Sequence, residues 1–310
     1  MKQGKILVIR GGAIGDFILT LPALAALRST FPDTRLEVLG YPHIASLADA
    51  AGVVDAVIPI ESRALAGFFA RNGSLDPAMS EYFAGCHVIF SYLFDPDEIF
   101  RDNLSRVTRA QVIQGPHRPD ETSAQHATDQ MLRPLERVAV FGADPIPRIT
   151  TRISPSLSHH DQRLVAVHPG SGSASKNWSA EFWQHLMRNL GDDPRRRVLF
   201  IGGEAEGNRL EQLSLELPRE RCEVLTGRPL PEVAQRLAGA DAFVGHDSGI
   251  THLAAAVGLP GVALWRESNA TIWRPRSDRF RLVEAGARSE TDAIPEILHW
   301  LSGEMSWLPP

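Results

Sequence analysis

Val244-Gly245-His246-Asp247-Ser248-Gly249-Ile250-Thr251-His252-Leu253-Ala254-Ala255-Ala256-Val257-Gly258-Leu259-Pro260 joins two elements through a turn with almost no side-chain bulk. The apolar, β-prone residues Ala242-Phe243-Val244 lead into it. A small-residue helix over Ile250 to Val257 follows, stopped by Gly258 and Pro260. Between them Asp247-Ser248-Gly249 brings the helix's first free N–H groups and its positive dipole end to the top of a sheet. Open α/β proteins bind phosphate at such strand–turn–helix units. The same turn is equally readable as a helix cap formed by Asp247 or Ser248.

The pattern repeats outward in both directions. Toward the N-terminus the expected strands are Leu164-Val165-Ala166-Val167, Val198-Leu199-Phe200-Ile201 and Cys222-Glu223-Val224-Leu225. Helices are expected over Glu181 to Leu190, Leu210 to Leu217 and Val233 to Ala240. Downstream come the strand Val262-Ala263-Leu264-Trp265 and a C-terminal helix, Ile294 to Leu301. A second alternation opens the chain, with strands at Ile6-Leu7-Val8-Ile9, Leu36 to Gly40, Val57 to Pro59, Val88 to Phe90 and Val107 to Ile113. An amphipathic helix is expected over Phe17 to Thr30 and another over Ile44 to Ala51. From Asp144 to Asp161 the sequence is rich in proline and serine and carries no apolar period, so a linker is placed at 144–161. Alternating strands and helices imply right-handed crossovers and doubly wound parallel sheets. The expected fold is α/β, with two Rossmann-like domains, 1–150 and 151–310, facing across a cleft.

Composition narrows the function. The 310 residues hold 32 Lys and Arg against 37 Asp and Glu, a formal net charge of −5, which gives no electrostatic case for nucleic acid. Two distant cysteines, Cys86 and Cys222, make neither a disulfide framework nor a zinc pattern, and suit a reducing cytosol. Met1-Lys2-Gln3-Gly4-Lys5 runs directly into a strand without the apolar core of a signal peptide. No window approaches the roughly 18 continuous apolar residues of a membrane span. A cytoplasmic protein is expected, at most peripheral at the inner face of a membrane.

Three further turns carry chemistry. Arg10-Gly11-Gly12-Ala13-Ile14-Gly15-Asp16 follows the first strand, but Arg10 occupies the first glycine position of a dinucleotide fingerprint and no acid ends the second strand, which excludes NAD. What remains is a carboxylate, Asp16, at the start of a helix, suited to capping or to general-base work at the cleft mouth. His168-Pro169-Gly170-Ser171-Gly172-Ser173-Ala174-Ser175-Lys176-Asn177-Trp178 is a hydroxyl-rich loop with one lysine, able to wrap phosphate oxygens. It lacks the final glycine and Ser/Thr of a Walker loop, so ATP hydrolysis is not expected. Gly202-Gly203-Glu204-Ala205-Glu206 ends a strand in two acids placed to accept from ribose hydroxyls or to complement a helix end. Asp95-Pro96-Asp97 reads as a helix start rather than a metal motif. His246, Asp247 and His252 have no third strong ligand at a recognised spacing, so no metal site is expected.

With these pieces assembled, the chain resembles glycosyltransferase family 9, the ADP-heptose:lipopolysaccharide heptosyltransferases. The resemblance runs nearly end to end. It rests on Ile6-Leu7-Val8-Ile9-Arg10 with Ile14-Gly15-Asp16 and Leu21-Pro22, on His168-Pro169-Gly170-Ser171 with Lys176-Asn177-Trp178, and on Asp247-Ser248-Gly249 with His252-Leu253-Ala254-Ala255. It implies a GT-B fold with the acceptor on the N-terminal domain, beside Gly11, Gly12 and Gly15, and the nucleotide sugar on the C-terminal one. It further implies inverting transfer with Asp16 as general base, no obligatory metal and no cofactor beyond a nucleotide-sugar donor, ADP-linked. Ser171 and Lys176 would contact the diphosphate, Lys176 also stabilising the leaving group. Glu206 would match the ribose-binding acid, and Asp247, Ser248, Gly249 and His252 would surround diphosphate and sugar. Arg228 stands where adenine-binding members carry an apolar residue, and Arg266 where they carry glycine, so both bear on the donor pocket. The implied partners are a nucleotide sugar and a lipid-linked or oligosaccharide acceptor, with transient contact to the inner membrane. Two other readings share the fold expectation: a sugar-nucleotide epimerase of GT-B architecture, and a two-domain binding protein without catalysis.

Overall fold

The computed structural model describes residues 4–151, 162–203, 206, 208–286 and 289–306. The part of the expected linker at 152–161, with Ser154-Pro155 and His159-His160, lies outside the described residues, as does Glu204. The chain forms two units, Met1–Pro147 and Arg148–Pro310.

The first unit is a five-stranded sheet with every pair parallel: β1 (Lys5–Arg10), β2 (Arg35–Gly40), β3 (Ala56–Pro59), β4 (Val88–Ser91) and β5 (Gln111–Gln114), in the order β3-β2-β1-β4-β5. Leu7, Val8 and Ile9 are fully buried, as a strand covered by helices on both faces must be. Its helices are α1 (Ile14–Ile18), α2 (Leu21–Thr30), α3 (Pro42–Ala50), α4 (Pro77–Ala84), α5 (Ile99–Ser105) and α6 (Ala127–Leu132).

The second unit has six parallel strands: β6 (Arg163–His168), β7 (Arg196–Gly202), β8 (Cys222–Thr226), β9 (Ala242–His246), β10 (Gly261–Trp265) and β11 (Phe280–Glu284), in the order β11-β10-β9-β6-β7-β8. The helices are α7 (Ala180–Gly191), α8 (Arg209–Ser214), α9 (Leu230–Ala238), α10 (Gly249–Ala256), α11 (Ala270–Trp273) and α12 (Ile294–Ser306). Along α7 the residues Phe182, Trp183, Leu186, Met187 and Leu190 recur with the helical period and are all buried. Each such side chain contributes about 1.5–3 kcal/mol by leaving water. Ile149 is buried too, and its N–H donates to the Ala256 carbonyl at 2.8 Å, so the chain is fastened to α10 as it enters this unit.

Three expectations are corrected. The helix expected over Phe17 to Thr30 begins earlier and is two helices, α1 and α2, because Pro22 has no N–H to continue the ladder. The strand expected from Val107 starts only at Gln111, since the N–H groups of Val107 and Thr108 both close α5 by donating to Leu104 at 3.0 Å. The edge strand β11 was not expected; it mixes apolar residues with the exposed Arg281 and Glu284 and lacks the continuous apolar run of the buried strands. No described helix is long and apolar enough to cross a membrane.

Candidate active site

In each unit the strand order reverses at a single point, between β1 and β4 in the first and between β6 and β9 in the second. Loops leaving the C-terminal ends of those strands diverge there and leave a crevice, the general binding position of open α/β sheets.

At the first crevice, β1 ends in Arg10 and α1 begins at Ile14, with Asp16 in its first turn. Asp16 Oδ2 accepts from the Ala13 N–H at 3.0 Å, so the carboxylate closes the helix start, as the capping alternative expects. Capping occupies only part of it. Arg10 Nη2 lies 3.5 Å from Asp16 Oδ1, and its Nε and Nη2 donate to the Asp16 carbonyl at 3.4 and 3.2 Å. Its Nη1 donates to the His117 carbonyl at 2.8 Å. The Arg10 side chain is 2% exposed and that of Asp16 is 27% exposed, so a buried cation grips a carboxylate with one side open to solvent. Gly12 has a φ of 98°, and a Cβ there would lie 3.0 Å from Asp16 Oδ2, so both conformation and space call for glycine. Gly11 abuts Leu93 of the loop after β4, and Gly15 lies within α1.

At the second crevice, the loop after β6 meets the start of α10. Lys176 Nζ lies 2.6 Å from Asp247 Oδ2, and the hydroxyl of Ser268, from the loop after β10, donates to the same oxygen. Ser248, not Asp247, caps α10: its hydroxyl accepts from the Thr251 N–H at 3.3 Å. This leaves the N–H groups of Gly249 and Ile250 among the helix's unpartnered first donors. The loop is shaped internally by Ser171, which donates to the Ser173 carbonyl at 2.7 Å. Glu206 is brought into the same group. Its Oε2 accepts from the Gly203 N–H at 2.5 Å, and its side chain passes so close over Gly170 that a Cβ there would collide with it. His252 is buried on α10.

The loop is anchored from below by His246, the last residue of β9, which is fully buried. Its Nε2 accepts from the Trp178 N–H at 2.8 Å and from Trp183 Nε1 at 3.3 Å. Burial, reinforced by neighbouring His168 and Arg209, pushes the imidazole pKa down to about 3, so it is a neutral acceptor. His168 is likewise held neutral by burial, and its Nδ1–H donates to the Ile201 carbonyl at 2.8 Å. Trp178 is buried, which makes the loop the start of the core rather than a loose surface segment.

Among the sequence candidates, Ser171, Lys176, Glu206, Asp247, Ser248, Gly249 and His252 thus belong to loops or helix starts of the second crevice, and Gly11, Gly12, Gly15 and Asp16 to the first. Arg228 stands apart: it is exposed, and its guanidinium lies 3.8 Å from Glu232. Arg266 pairs with Glu290, whose other oxygen accepts from the Ser179 N–H at 2.7 Å. Asp95 accepts from the N–H groups of Phe100 and Arg101, the helix-start role expected of it. Sequence reasoning missed Arg10 and Ser268 as site residues. A charged residue closing an apolar strand was a visible signal for Arg10; nothing local marks Ser268. Among the described residues, no group of three or more His, Cys, Asp or Glu side chains is placed to hold a metal ion.

The model of glycosyltransferase family 9 (heptosyltransferase) matches residues 122–294, more than half of the chain and all of the second crevice. The chain belongs to glycosyltransferase family 9. As a family 9 glycosyltransferase it is 25% identical over 287 residues to lipopolysaccharide heptosyltransferase 1 of Salmonella typhimurium, covering 84% of this chain and 88% of that one. It is 22% identical to lipopolysaccharide heptosyltransferase 3 of Escherichia coli, covering 88% and 86%. The fold is that of E. coli ADP-heptose heptosyltransferase II, with a TM-score of 0.77 at 17% identity over 97% of this chain and 98% of that one. An E. coli heptosyltransferase solved with ADP superimposes with a TM-score of 0.71 at 17% identity over 97% and 99%. These likenesses establish a GT-B architecture of two parallel-sheet units.

Proposed function

We propose that this glycosyltransferase is an inverting, metal-independent heptosyltransferase that moves heptose from ADP-heptose to a lipopolysaccharide-core or related envelope-glycan acceptor. The observation that carries the reading is the Lys176–Asp247 pair, at 2.6 Å, beside the start of α10. It sets an ammonium and a helix's positive end at the crevice where a nucleoside diphosphate would gather charge as it leaves. Asp247, itself bonded by Ser268, holds Lys176 in place before substrate arrives, so little reorganisation is needed in the transition state. Glu206, over Gly170, would accept from the ribose hydroxyls. On the acceptor side Asp16 takes the proton of the attacking hydroxyl as oxygen bonds to the anomeric carbon and the bond to the diphosphate breaks on the opposite face. Arg10 cannot release its proton and acts by orienting Asp16. The ADP in one structural neighbour and the heptosyltransferase names of the relatives support the donor assignment. A lipid-linked acceptor would bring the protein transiently to the inner membrane's cytoplasmic face.

Calorimetric titration with ADP, UDP and GDP, with and without magnesium, tests this reading. Binding of ADP alone, indifferent to magnesium and weakened about tenfold or more in Lys176→Ala, is the expected result, followed by heptose transfer from ADP-heptose to core oligosaccharide. Preference for UDP or GDP would overturn the donor assignment, and a strict magnesium requirement would overturn the metal-free mechanism.

A further inference from the structure

Beside the Arg10–Asp16 pair, the first unit carries two cavities that no step above uses. The smaller, of about 240 Å³, lies between the loops after β4 and β5, where the rings of Phe94 and His117 pack against each other, tilted by 53° with centroids 4.6 Å apart. Phe94 is 69% exposed, an unusual cost for a phenyl ring packed on no core. This cavity adjoins the base: Arg10, which grips Asp16, also holds the His117 carbonyl, and Leu93 of its wall abuts Gly11. Its charged residues are all engaged: Asp95 accepts from two N–H groups at the start of α5, and Glu98 pairs with Arg101 at 2.9 Å.

The larger cavity, of about 630 Å³, shares Arg101, Gln114 and Pro116 with the smaller and runs on along the edge strand β5. Its cations are engaged differently: Arg101 is already paired with Glu98, whereas Arg133 and Arg137 share the lining with one carboxylate, Asp120, which accepts from the N–H and hydroxyl of Thr122. No hydrogen bond or ion pair with a described residue engages the guanidinium groups of Arg133 and Arg137. They stand four residues apart on one short 3₁₀ segment, Arg133–Val138, and both line the cavity. Buried Gln130 fixes the facing loop, bonding to the Asp120 N–H at 2.7 Å and to the Asp120 and Gln125 carbonyls. The wall is therefore built, and two of its guanidinium groups have no ion-pair partner among the described residues.

We infer that these two cavities form one acceptor trough, in which a neutral sugar ring stacks on the Phe94–His117 pair beside Asp16 and a phosphate or carboxylate on the next sugar is held by Arg133 and Arg137. The role as acceptor trough rests on the transferase reading; the binding itself does not. The trough selects acceptors that carry an anionic substituent one sugar away from the attacking hydroxyl.

The test is an amide NMR titration of the full-length protein with glucose, glucose 6-phosphate and glucuronic acid, with ADP titrated in parallel. The anionic sugars are expected to bind about tenfold or more tightly than glucose, the strength of one or two charge-assisted contacts, and to shift the amides around Gln114–His117 and Arg133–Arg137. Response to one anionic sugar alone assigns the group as phosphate or carboxylate. The double variant Arg133→Gln, Arg137→Gln should abolish the preference with ADP binding unchanged, while Phe94→Ala should weaken all three sugars alike. Equal binding of glucose and its anionic analogues, or a preference that survives the double variant, would overturn the trough. Sugar selectivity without ADP binding would instead overturn the donor reading and leave the trough standing.

Discussion

Asp16 and Asp247 open the same kind of turn, in different units, and the structure uses them in opposite ways. Both belong to units in which a buried parallel strand turns into a helix. Asp16 lies inside its helix, accepts a backbone N–H and is gripped by a buried guanidinium, yet its side chain stays 27% exposed. Asp247 precedes its helix, leaves the cap to Ser248 and has its Oδ2 engaged by both Lys176 and Ser268, with its side chain only 10% exposed. A carboxylate held on one side and open on the other is fit to take a proton. A carboxylate consumed by its neighbours is fit to aim them. The turn alone does not assign the role; what the neighbouring loops bring to each oxygen does.

The sharpest way to break this contrast is Asp16→Asn. It keeps the shape and removes the base, and should cut transfer about a thousandfold while ADP affinity stays unchanged by calorimetry. Equal loss of both would make Asp16 structural, like Asp247. Lys176→Ala is expected to do the reverse at the binding step, weakening ADP about tenfold or more, as loss of a charge-assisted contact would. Unfolding of the second unit should depend on pH through His246. Its folded pKa is depressed to about 3 from the ordinary 6.5, so the unfolded chain binds the proton more readily. Stability is complete above about pH 6.5 and is lost as pH falls toward 3, by about 2 kcal/mol between pH 6.5 and 5. All 6 tryptophans lie beyond residue 147, so denaturation followed by their fluorescence reads this unit, and His246→Gln should flatten the slope. The smallest effect is expected for Gly12→Ala, about 1 kcal/mol or somewhat more from its positive φ. It is read as a lowered melting temperature, with transfer falling further than stability because the new methyl presses on Asp16.

Much of this was legible in the sequence because parallel sheets announce themselves. Runs such as Ile6-Leu7-Val8-Ile9 and Val198-Leu199-Phe200-Ile201 are apolar throughout, since both faces are covered. The turns at both crevices were legible as well, since glycine and hydroxyl residues mark where a chain bends tightly between a strand and a helix. The rest was hidden by distance along the chain. Ser268 reaches Asp247 across 21 residues, Trp178 reaches His246 across 68, and Arg10 reaches the His117 carbonyl across 107. No local pattern encodes such contacts. The edge strand β11 was missed because a half-solvated strand carries charges where buried strands carry valine, and Pro22 split a helix whose apolar period ran straight through it.

The burial of Arg10 also separates two kinds of charge in the first unit by their response to ionic strength. Mobile ions screen exposed charges over about 8 Å at physiological salt and barely reach a buried one. Added salt should therefore erode whatever Arg133 and Arg137 hold at the rim, while the grip of Arg10 on Asp16 is left intact. A salt series on this transferase would raise the KM for a charged acceptor long before it touched kcat.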